Sequence, residues 1–126
     1  MEFLLPQAAA SAGQARKLTS AFLGRERHRA RRVDAEHIDD AKLIVSELVT
    51  NATQHGGSAC RLCLQIFDAS VVVEVYDNNS ARPRPRPLSA ERESGRGLAM
   101  VRLLAQRFDV SPVTGGGKRV RAVLSY

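Results

Sequence analysis

Three polar side chains recur at four-residue intervals along a segment whose other face is apolar: Glu47, Asn51 and His55. At 3.6 residues per turn, each interval moves the side chain about 40° around a helix axis, so all three lie within roughly 80° of one another. A carboxylate, an amide and an imidazole in one column suit a site that needs a base and a ligand for a metal or a phosphate. A solvated helix face would also produce this column, because Glu and Asn are common at surfaces.

A fourth candidate, Asp77, ends an apolar run at residues 71–76 and opens a long segment without periodicity. A carboxylate at the end of a strand can accept hydrogen bonds from a ligand amine in a pocket. A turn-initiating Asp would explain the same position.

After the polar column and Asp77, one more motif could bind a ligand. It is the run Gly95, Arg96, Gly97 and Leu98, which comes directly before an apolar helix pattern. Glycines allow the backbone to approach a phosphate closely, and the N–H groups at a helix N-terminus favour anions. An ordinary helix start preceded by a loop would explain the two glycines equally well.

Hydrophobic periodicity predicts the helices that must position these residues. A short strand at residues 3–5 precedes a first helix that ends near Gly24, and Asp34 caps the start of a second helix that Gly56 and Gly57 terminate. The apolar stripe of the first helix consists of Ala8, Ala12, Ala15, Leu18 and Phe22. The buried face of the second consists of Ile38, Ala41, Ile44, Val45, Leu48, Val49 and Ala52.

Alternating apolar residues predict two hairpins and a third helix. Strands at residues 61–66 and 71–76 flank a turn at 68–70, and strands at 110–113 and 120–124 flank three consecutive glycines. Gly97 opens the third helix, whose inward residues are Leu98, Val101, Leu104, Ala105 and Phe108. We therefore expect one α+β domain over residues 1–126, a two-layer sandwich of helices on a mixed, mostly antiparallel sheet.

Length and composition exclude a multi-domain protein and a membrane-spanning one. The chain has 126 residues, 44% of them hydrophobic, and a net charge of +6. This length fits one domain, and the composition is that of a globular protein. No apolar run approaches the roughly 20 residues of a membrane span, and the N-terminus lacks the basic start of a signal peptide, so we expect a cytoplasmic protein without a membrane segment.

Two arginine-rich segments and two cysteines remain to be interpreted. Residues 25–32 and 82–87 are arginine-rich, but no aromatic residue interleaves with the first to stack on bases, so a nucleic-acid interface is disfavoured. Cys60 and Cys63 lie an odd number of positions apart on a predicted strand and face opposite sides of it. They are interpreted as half-buried packing residues rather than as a zinc or redox pair.

Taken in order, the three motifs resemble those of the histidine-kinase-like (GHKL) ATPases. Residues 43–56 resemble the N box of that superfamily, residues 73–80 fall where its first glycine box falls, and residues 95–101 resemble its second. The sequence is particularly similar to the small anti-sigma factor serine/threonine kinases, which are single ATPase domains with the Bergerat fold. The resemblance extends over residues 3–124.

This resemblance implies a role for each candidate residue. Glu47 is the implied general base and Asn51 the ligand of Mg²⁺ on ATP, while Asp77 is expected to accept from the exocyclic amine of adenine. Contacts with the phosphates are expected at the second glycine box, with His55 near the phosphate end. The full set of implied cofactor-binding residues is Asn51, His55, Asp77, Asn79, Gly95, Arg96, Gly97 and Leu98. Residues 79–94 would form the ATP lid.

The resemblance also implies partners and leaves alternatives open. The implied activity is phosphorylation of a serine on a STAS-type anti-sigma factor antagonist, with a sigma factor as second partner and a homodimer as the assembly. The first alternative is a nucleotide-dependent binding module that does not transfer phosphate. The second is a basic nucleic-acid binder that uses residues 25–32 and the Arg-Pro part of the lid.

The sequence departs from the family pattern in three places, of which one is the Arg-Pro repeat of the lid at residues 82–87 and two concern the site itself. The first glycine box lacks both of its glycines, because residues 78–81 read Asn-Asn-Ser-Ala. Arg119 follows Lys118 where the family often has a threonine, which removes a hydroxyl that could contact the nucleotide. The missing glycines and Arg119 both favour the alternative of a binding module that does not transfer phosphate.

Overall fold

A five-stranded sheet and three helices make up the computed structural model, which describes residues 1–30, 33–67, 69–79 and 93–125. The elements in chain order are β1 (Glu2–Leu5), α1 (Ser11–Ala30), α2 (Ala35–Thr50), a π-helical turn (Asn51–His55), β2 (Cys60–Phe67), β3 (Ser70–Asp77), α3 (Glu93–Leu104), β4 (Arg107–Pro112) and β5 (Lys118–Ser125). The strand order is β1-β2-β3-β5-β4, and each neighbouring pair is antiparallel. The predicted α+β sandwich is confirmed, and its described sheet is wholly antiparallel.

Every second residue of the central strands faces the helices. In β3 this row contains Val71, Val73 and Val75, all fully buried, and it continues to Asp77 at the end of the strand. Because side chains alternate between the faces of a sheet, Asp77 shares the helix-facing side with the valines. The sheet thus positions a carboxylate at the edge of the hydrophobic core.

Helix α2 follows its sequence pattern closely. The Asp34 side chain accepts a hydrogen bond from the backbone N–H of His37 at 2.9 Å, which confirms the predicted N-cap. The predicted buried face is confirmed as well: its members are Ile38, Ala41, Ile44, Val45, Leu48, Val49 and Ala52. The last of these lies in the π-helical turn, where the N–H of Gly56 donates to the carbonyl of Asn51 at 2.7 Å.

Helix α1 differs from its prediction at both ends. It begins at Ser11, so Ala8 lies before it, and it continues past Gly24 to Ala30. One glycine in a helix costs only about 1 kcal/mol relative to alanine, which is too little to end a helix whose neighbours favour it. Residues 31–32 of the first arginine-rich segment lie outside the described residues, as do the side chains of residues 26–30.

The third helix and the strand after it also shift. Helix α3 begins at Glu93 rather than Gly97 and ends at Leu104, while Phe108 belongs to β4. Phe108 pairs with Ala122 of β5, and the pairing extends from Arg107 to Pro112. The apolar spacing of Phe108 fits the stripe of a helix and the inward face of a strand alike, and pairing with β5 decides between them.

The turn between β4 and β5 confirms the role predicted for its glycines. Gly115, Gly116 and Gly117 all have positive φ angles, of 95°, 115° and 83°. Residues with side chains rarely adopt three such conformations in succession. Among the described residues, no helix combines the length and the apolarity needed to cross a membrane.

Candidate functional site

The column of polar residues predicted on α2 straddles the junction between the α-helix and the π-helical turn. Glu47 lies in the last turn of α2, Asn51 begins the π-helical turn and His55 ends it. Glu47 and Asn51 are half-buried, whereas His55 is exposed. The two residues assigned to proton and metal chemistry therefore lie deeper than the histidine.

Glu47 packs directly against the second glycine motif. A Cβ atom built on Gly97 would overlap the carboxylate group of Glu47, whose Oε2 atom is buried. Any larger residue at this position of α3 would displace that carboxylate. We call this packing the Glu47–Gly97 contact; it joins two motifs that are 50 residues apart in the sequence.

The second glycine motif lies inside α3 rather than before it. Gly95, Arg96, Gly97 and Leu98 all fall in the first two turns, because the helix begins at Glu93. Leu98 is 1% exposed and belongs to the hydrophobic core. The first N–H groups of a helix lack partners within it, so the N–H of Gly95, the third residue of α3, is one of those that can face an anion. The side chain of Arg96 lies outside the described residues.

Asp77 is buried and forms an ion pair that sequence reasoning missed. Its Oδ1 atom lies 3.0 Å from the Nζ atom of Lys118, and the two side chains are 1% and 8% exposed. The pair follows from the register of the sheet, in which Asp77 of β3 lies opposite Lys118 of β5. The only sequence signal was a lysine just after three glycines at the start of an apolar strand.

Asn79 connects this ion pair to the end of the N box. Its backbone N–H donates to Asp77 Oδ1 at 2.8 Å, and its carbonyl accepts from Lys118 Nζ at 2.8 Å. Its side-chain amide donates to the carbonyl of Gly56 at 3.0 Å. We call Asp77, Asn79, Gly117 and Lys118 the Asp77 cluster.

Gly117 completes the cluster by bringing β5 against the end of β3. A Cβ atom at this position would overlap the carbonyl oxygen of Asp77, and the φ angle of 83° also favours glycine. The close approach of the two backbones places Lys118, the first residue of β5, directly opposite Asp77.

The residue after Lys118 faces away from the site. Arg119 lies on the opposite side of β5, with its Nη1 atom 3.5 Å from Glu74 and its Nη2 atom 3.8 Å from Asp109. The replacement of a threonine by Arg119 therefore adds no charge beside Asp77. The residue of this segment that meets Asp77 is Lys118.

Both cysteines are free and more deeply buried than predicted, with 5% and 9% exposure for Cys60 and Cys63. Burial and, second, the charge of Asp77 raise the pKa of Cys60 to about 11. Burial and, second, a hydrogen bond with Glu2 raise the pKa of Cys63 to about 11. Both thiols are therefore protonated near neutral pH, and neither has the low pKa of a reactive cysteine.

The donor atoms of the N box fit a magnesium ion that arrives with phosphates. Among the described residues there is no cluster of three or more His, Cys, Asp or Glu side chains that could hold a metal. Mg²⁺ is usually bound by one or two protein oxygens together with water and substrate phosphates. The amide oxygen of Asn51, one turn from the Glu47 carboxylate, suits such a partial ligand set.

Parts of the predicted lid and of the basic segments lie outside the described residues. Residues 80–92, including the Arg-Pro repeat, are among them. The described part of the lid consists of Asn79, bound as above, and residues 93–94 in α3. Arg25, at the start of the first basic segment, is exposed and lies 3.4 Å from the sulfur of Met1.

Comparison with known proteins covers the part of the chain that contains the three motifs. The family model described as "Histidine kinase-like ATPase domain" matches residues 5–124, a range that includes all three. The chain is also 31% identical over 97 residues to the anti-sigma F factor of Clostridium acetobutylicum, and the alignment covers 68% of each protein.

Proposed function

The chain belongs to the histidine kinase-like ATPase domain family, and on this premise we propose that it is an ATP-binding anti-sigma factor that phosphorylates a serine of its antagonist. Membership of an ATPase family implies binding of ATP. The likeness to an anti-sigma F factor supports the regulatory role. The observation that carries the proposal is the assembly of the three motifs by the Glu47–Gly97 contact and the Asp77 cluster.

The proposal assigns roles to residues of all three motifs. Asp77 accepts a hydrogen bond from the adenine amine, and Gly95 and Arg96 hold phosphate oxygens at the start of α3. Asn51 holds the Mg²⁺ ion, which neutralises charge on the phosphates when bound. His55, exposed at the end of the π-helical turn, lies at the phosphate end.

Glu47 is the proposed general base for the transfer. It takes the proton that the serine hydroxyl loses as the serine oxygen bonds to the γ-phosphorus and ADP leaves. Positioning and charge stabilisation supply most of the rate enhancement in phosphoryl transfer, so the base contributes a modest share.

The proposed partners act in the cytoplasm. A STAS-type antagonist supplies the serine, and a sigma factor is the protein that the chain sequesters when the antagonist is phosphorylated. A homodimer is the proposed assembly. Partner switching then depends on which protein occupies the chain and on the nucleotide that it holds.

One observation favours a binding module without phosphotransfer as the second candidate. The Oε2 atom of Glu47 is buried, and its carboxylate lies against α3. A base must come within hydrogen-bond distance of the hydroxyl that it deprotonates. If α3 keeps this position when ATP binds, the nucleotide would control partner binding alone.

Calorimetry with Mg·ATP tests the binding of ATP, which both candidate functions require. We expect the wild-type chain to bind and Asp77→Asn to bind at least tenfold more weakly, because a charged acceptor is replaced by an amide. An absence of binding by the wild-type chain at millimolar ATP would refute both functions.

Transfer of radiolabelled phosphate to a purified STAS-domain antagonist from the same genome distinguishes the serine kinase from the binding module. We expect label on the antagonist with the wild-type chain and a decrease of about 10²–10⁴-fold with Glu47→Gln. An antagonist whose acceptor serine is replaced by alanine is the control. Binding of ATP with no label on the serine would support the binding module instead.

A further inference from the structure

The proposed function gives no role to Lys118, a charged side chain of the Asp77 cluster. Its Nζ atom donates to Asp77 Oδ1 at 3.0 Å and to the carbonyl of Asn79 at 2.8 Å. A lysine ammonium carries three N–H donors. Two of them are used within the described part of the chain, which leaves the third for a ligand.

Asp77 has the complementary arrangement. The N–H of Asn79 and the ammonium of Lys118 both approach Oδ1. Among the described residues, no donor reaches Oδ2. A hydrogen-bond donor on Lys118 and an acceptor on Asp77 therefore lie next to each other at the edge of the core.

The position of Lys118 is set by the sheet rather than by a flexible loop. Lys118 is the first residue of β5, it lies opposite Asp77 in the register, and Gly117 holds the two strand ends in contact. A buried ion pair is often no more stabilising than an apolar pair of similar volume. Stability alone is therefore a weak reason for a lysine at this position, and recognition of a ligand is a stronger one.

We propose that Lys118 donates a hydrogen bond to the ring nitrogen N1 of adenine while Asp77 Oδ2 accepts from the exocyclic amine, which makes Lys118 a specificity-determining residue. The inference rests on the proposed binding of ATP. In adenine the acceptor N1 and the amine are attached to the same carbon. They present an acceptor and a donor side by side, which complements the donor and acceptor of the pair.

The same pair disfavours guanine. Guanine can offer its O6 atom to Lys118 and its N1–H to Asp77, but its 2-amino group then needs a second acceptor. Asp77 Oδ1 already accepts two hydrogen bonds. A buried amine without an acceptor weakens binding strongly, so the site selects ATP over GTP.

Calorimetry with base analogues tests this without any mutation. The wild-type chain is titrated with Mg²⁺ complexes of ATP, 1-deaza-ATP, in which a C–H replaces N1, and GTP. We expect 1-deaza-ATP to bind about 10- to 100-fold more weakly than ATP, the usual effect of removing a charged hydrogen bond. We expect GTP to bind more weakly still.

A pair of variants assigns the effect to Lys118. In Lys118→Met, ATP and 1-deaza-ATP should bind within about threefold of each other, because the donor to N1 is gone. Lys17→Met, a change at an exposed lysine of α1, is the matched control and should keep the full discrimination. The double variant Lys118→Met/Asp77→Asn, which leaves no unpaired charge, replaces the single variant if that one does not fold.

The outcomes separate this inference from the function on which it rests. If the wild-type chain binds ATP but binds 1-deaza-ATP equally well, or GTP more tightly, the role of Lys118 is wrong and the proposed function stands. If Lys118→Met keeps the wild-type discrimination, another residue reads N1. If the wild-type chain binds no ATP, both proposals fail together.

Discussion

The Asp77 cluster and the Glu47–Gly97 contact assemble the two ends of one site by different means. In the cluster, a buried ion pair and three hydrogen bonds to Asn79 link β3, β5 and the end of the N box. At the other end, the missing side chain of a glycine makes room for a carboxylate. The first arrangement is sensitive to a loss of charge and the second to added volume, so different substitutions should disrupt them.

The largest effect on stability is expected for Lys118→Met in the Asp77 cluster. Removing one partner of a buried ion pair leaves an uncompensated charge and typically costs about 3–5 kcal/mol. Asp77 is 1% exposed at its side chain, so solvation compensates little for the lost ammonium. Urea denaturation should show this decrease in the free energy of unfolding.

The double variant Lys118→Met/Asp77→Asn provides the control. It should recover more than half of the loss, because it leaves no buried charge. A double variant that is no more stable than Lys118→Met would mean that the ion pair does not set the cost.

The next largest effect is expected for Gly117→Ala, compared with Gly115→Ala in the same turn. Both glycines have positive φ angles, so each change introduces strain of about 1 kcal/mol. A Cβ atom at Gly117 also overlaps the carbonyl of Asp77, whereas one at Gly115 meets no atom within 4 Å. We expect a total loss of about 3 kcal/mol for Gly117→Ala.

Thermal or urea denaturation of the two variants isolates the contact with Asp77, since the strain is common to both. Equal losses would show that the backbones of β3 and β5 separate easily at this point. The Asp77 cluster would then be less rigid than its geometry indicates.

Local patterns predicted the elements around these two regions well. The spacing of apolar residues identified the buried face of α2 and the β2–β3 hairpin, because one face of each packs in the core. Asp34 was recognisable as an N-cap, since that role depends on residues three positions apart. Glu47 and Asp77 were recognisable as candidates because nearby residues identify them. Glu47 lies four positions before Asn51, and Asp77 ends an apolar run.

The contacts between the motifs could not be predicted from the sequence. The pairing of Asp77 with Lys118 depends on the register of β3 and β5, which are 41 residues apart at this point. The packing of Glu47 on Gly97 depends on how α2 and α3 meet. Gly97 was interpreted as a helix start because glycines favour such positions, whereas the structure uses its small volume inside the helix.

Gly97→Ala should affect activity far more than stability. Alanine favours a helix by up to about 1 kcal/mol over glycine, which offsets part of the cost of moving the Glu47 carboxylate. We expect the free energy of unfolding to change by less than about 1 kcal/mol. Phosphotransfer should fall about 10- to 100-fold, because small displacements of catalytic groups cost this much.

Gly24→Ala is the matched control for that change. Gly24 also lies inside a helix, but a Cβ atom there meets nothing within 4 Å. This variant should gain about 0.5–1 kcal/mol of stability and keep wild-type transfer. If Gly97→Ala transferred phosphate as well as Gly24→Ala, the contact with Glu47 would have no part in the reaction.

Near neutral pH the smallest effect is expected from the ionisation of Cys60, which lies opposite Asp77 in the sheet and affects stability only above about pH 9. Burial and the charge of Asp77 raise its pKa from 9.0 to about 11, so the folded chain keeps a proton that the unfolded chain releases. The resulting stabilisation is complete below pH 9 and is lost as the pH rises to 11. Its size is at most about 2.7 kcal/mol, since each of the two pKa units corresponds to about 1.4 kcal/mol.

The free energies of unfolding of wild type and Cys60→Ala are measured by denaturation at several pH values between 8 and 11. The contribution of Cys60 is the difference between the two slopes of free energy against pH. The comparison removes the effects of lysine and tyrosine ionisation, which both proteins share. The stability of the wild-type chain should fall more steeply than that of the variant above pH 9. Parallel curves would mean that Cys60 ionises as readily in the folded chain as in the unfolded one, and that the Asp77 end of the sheet admits water.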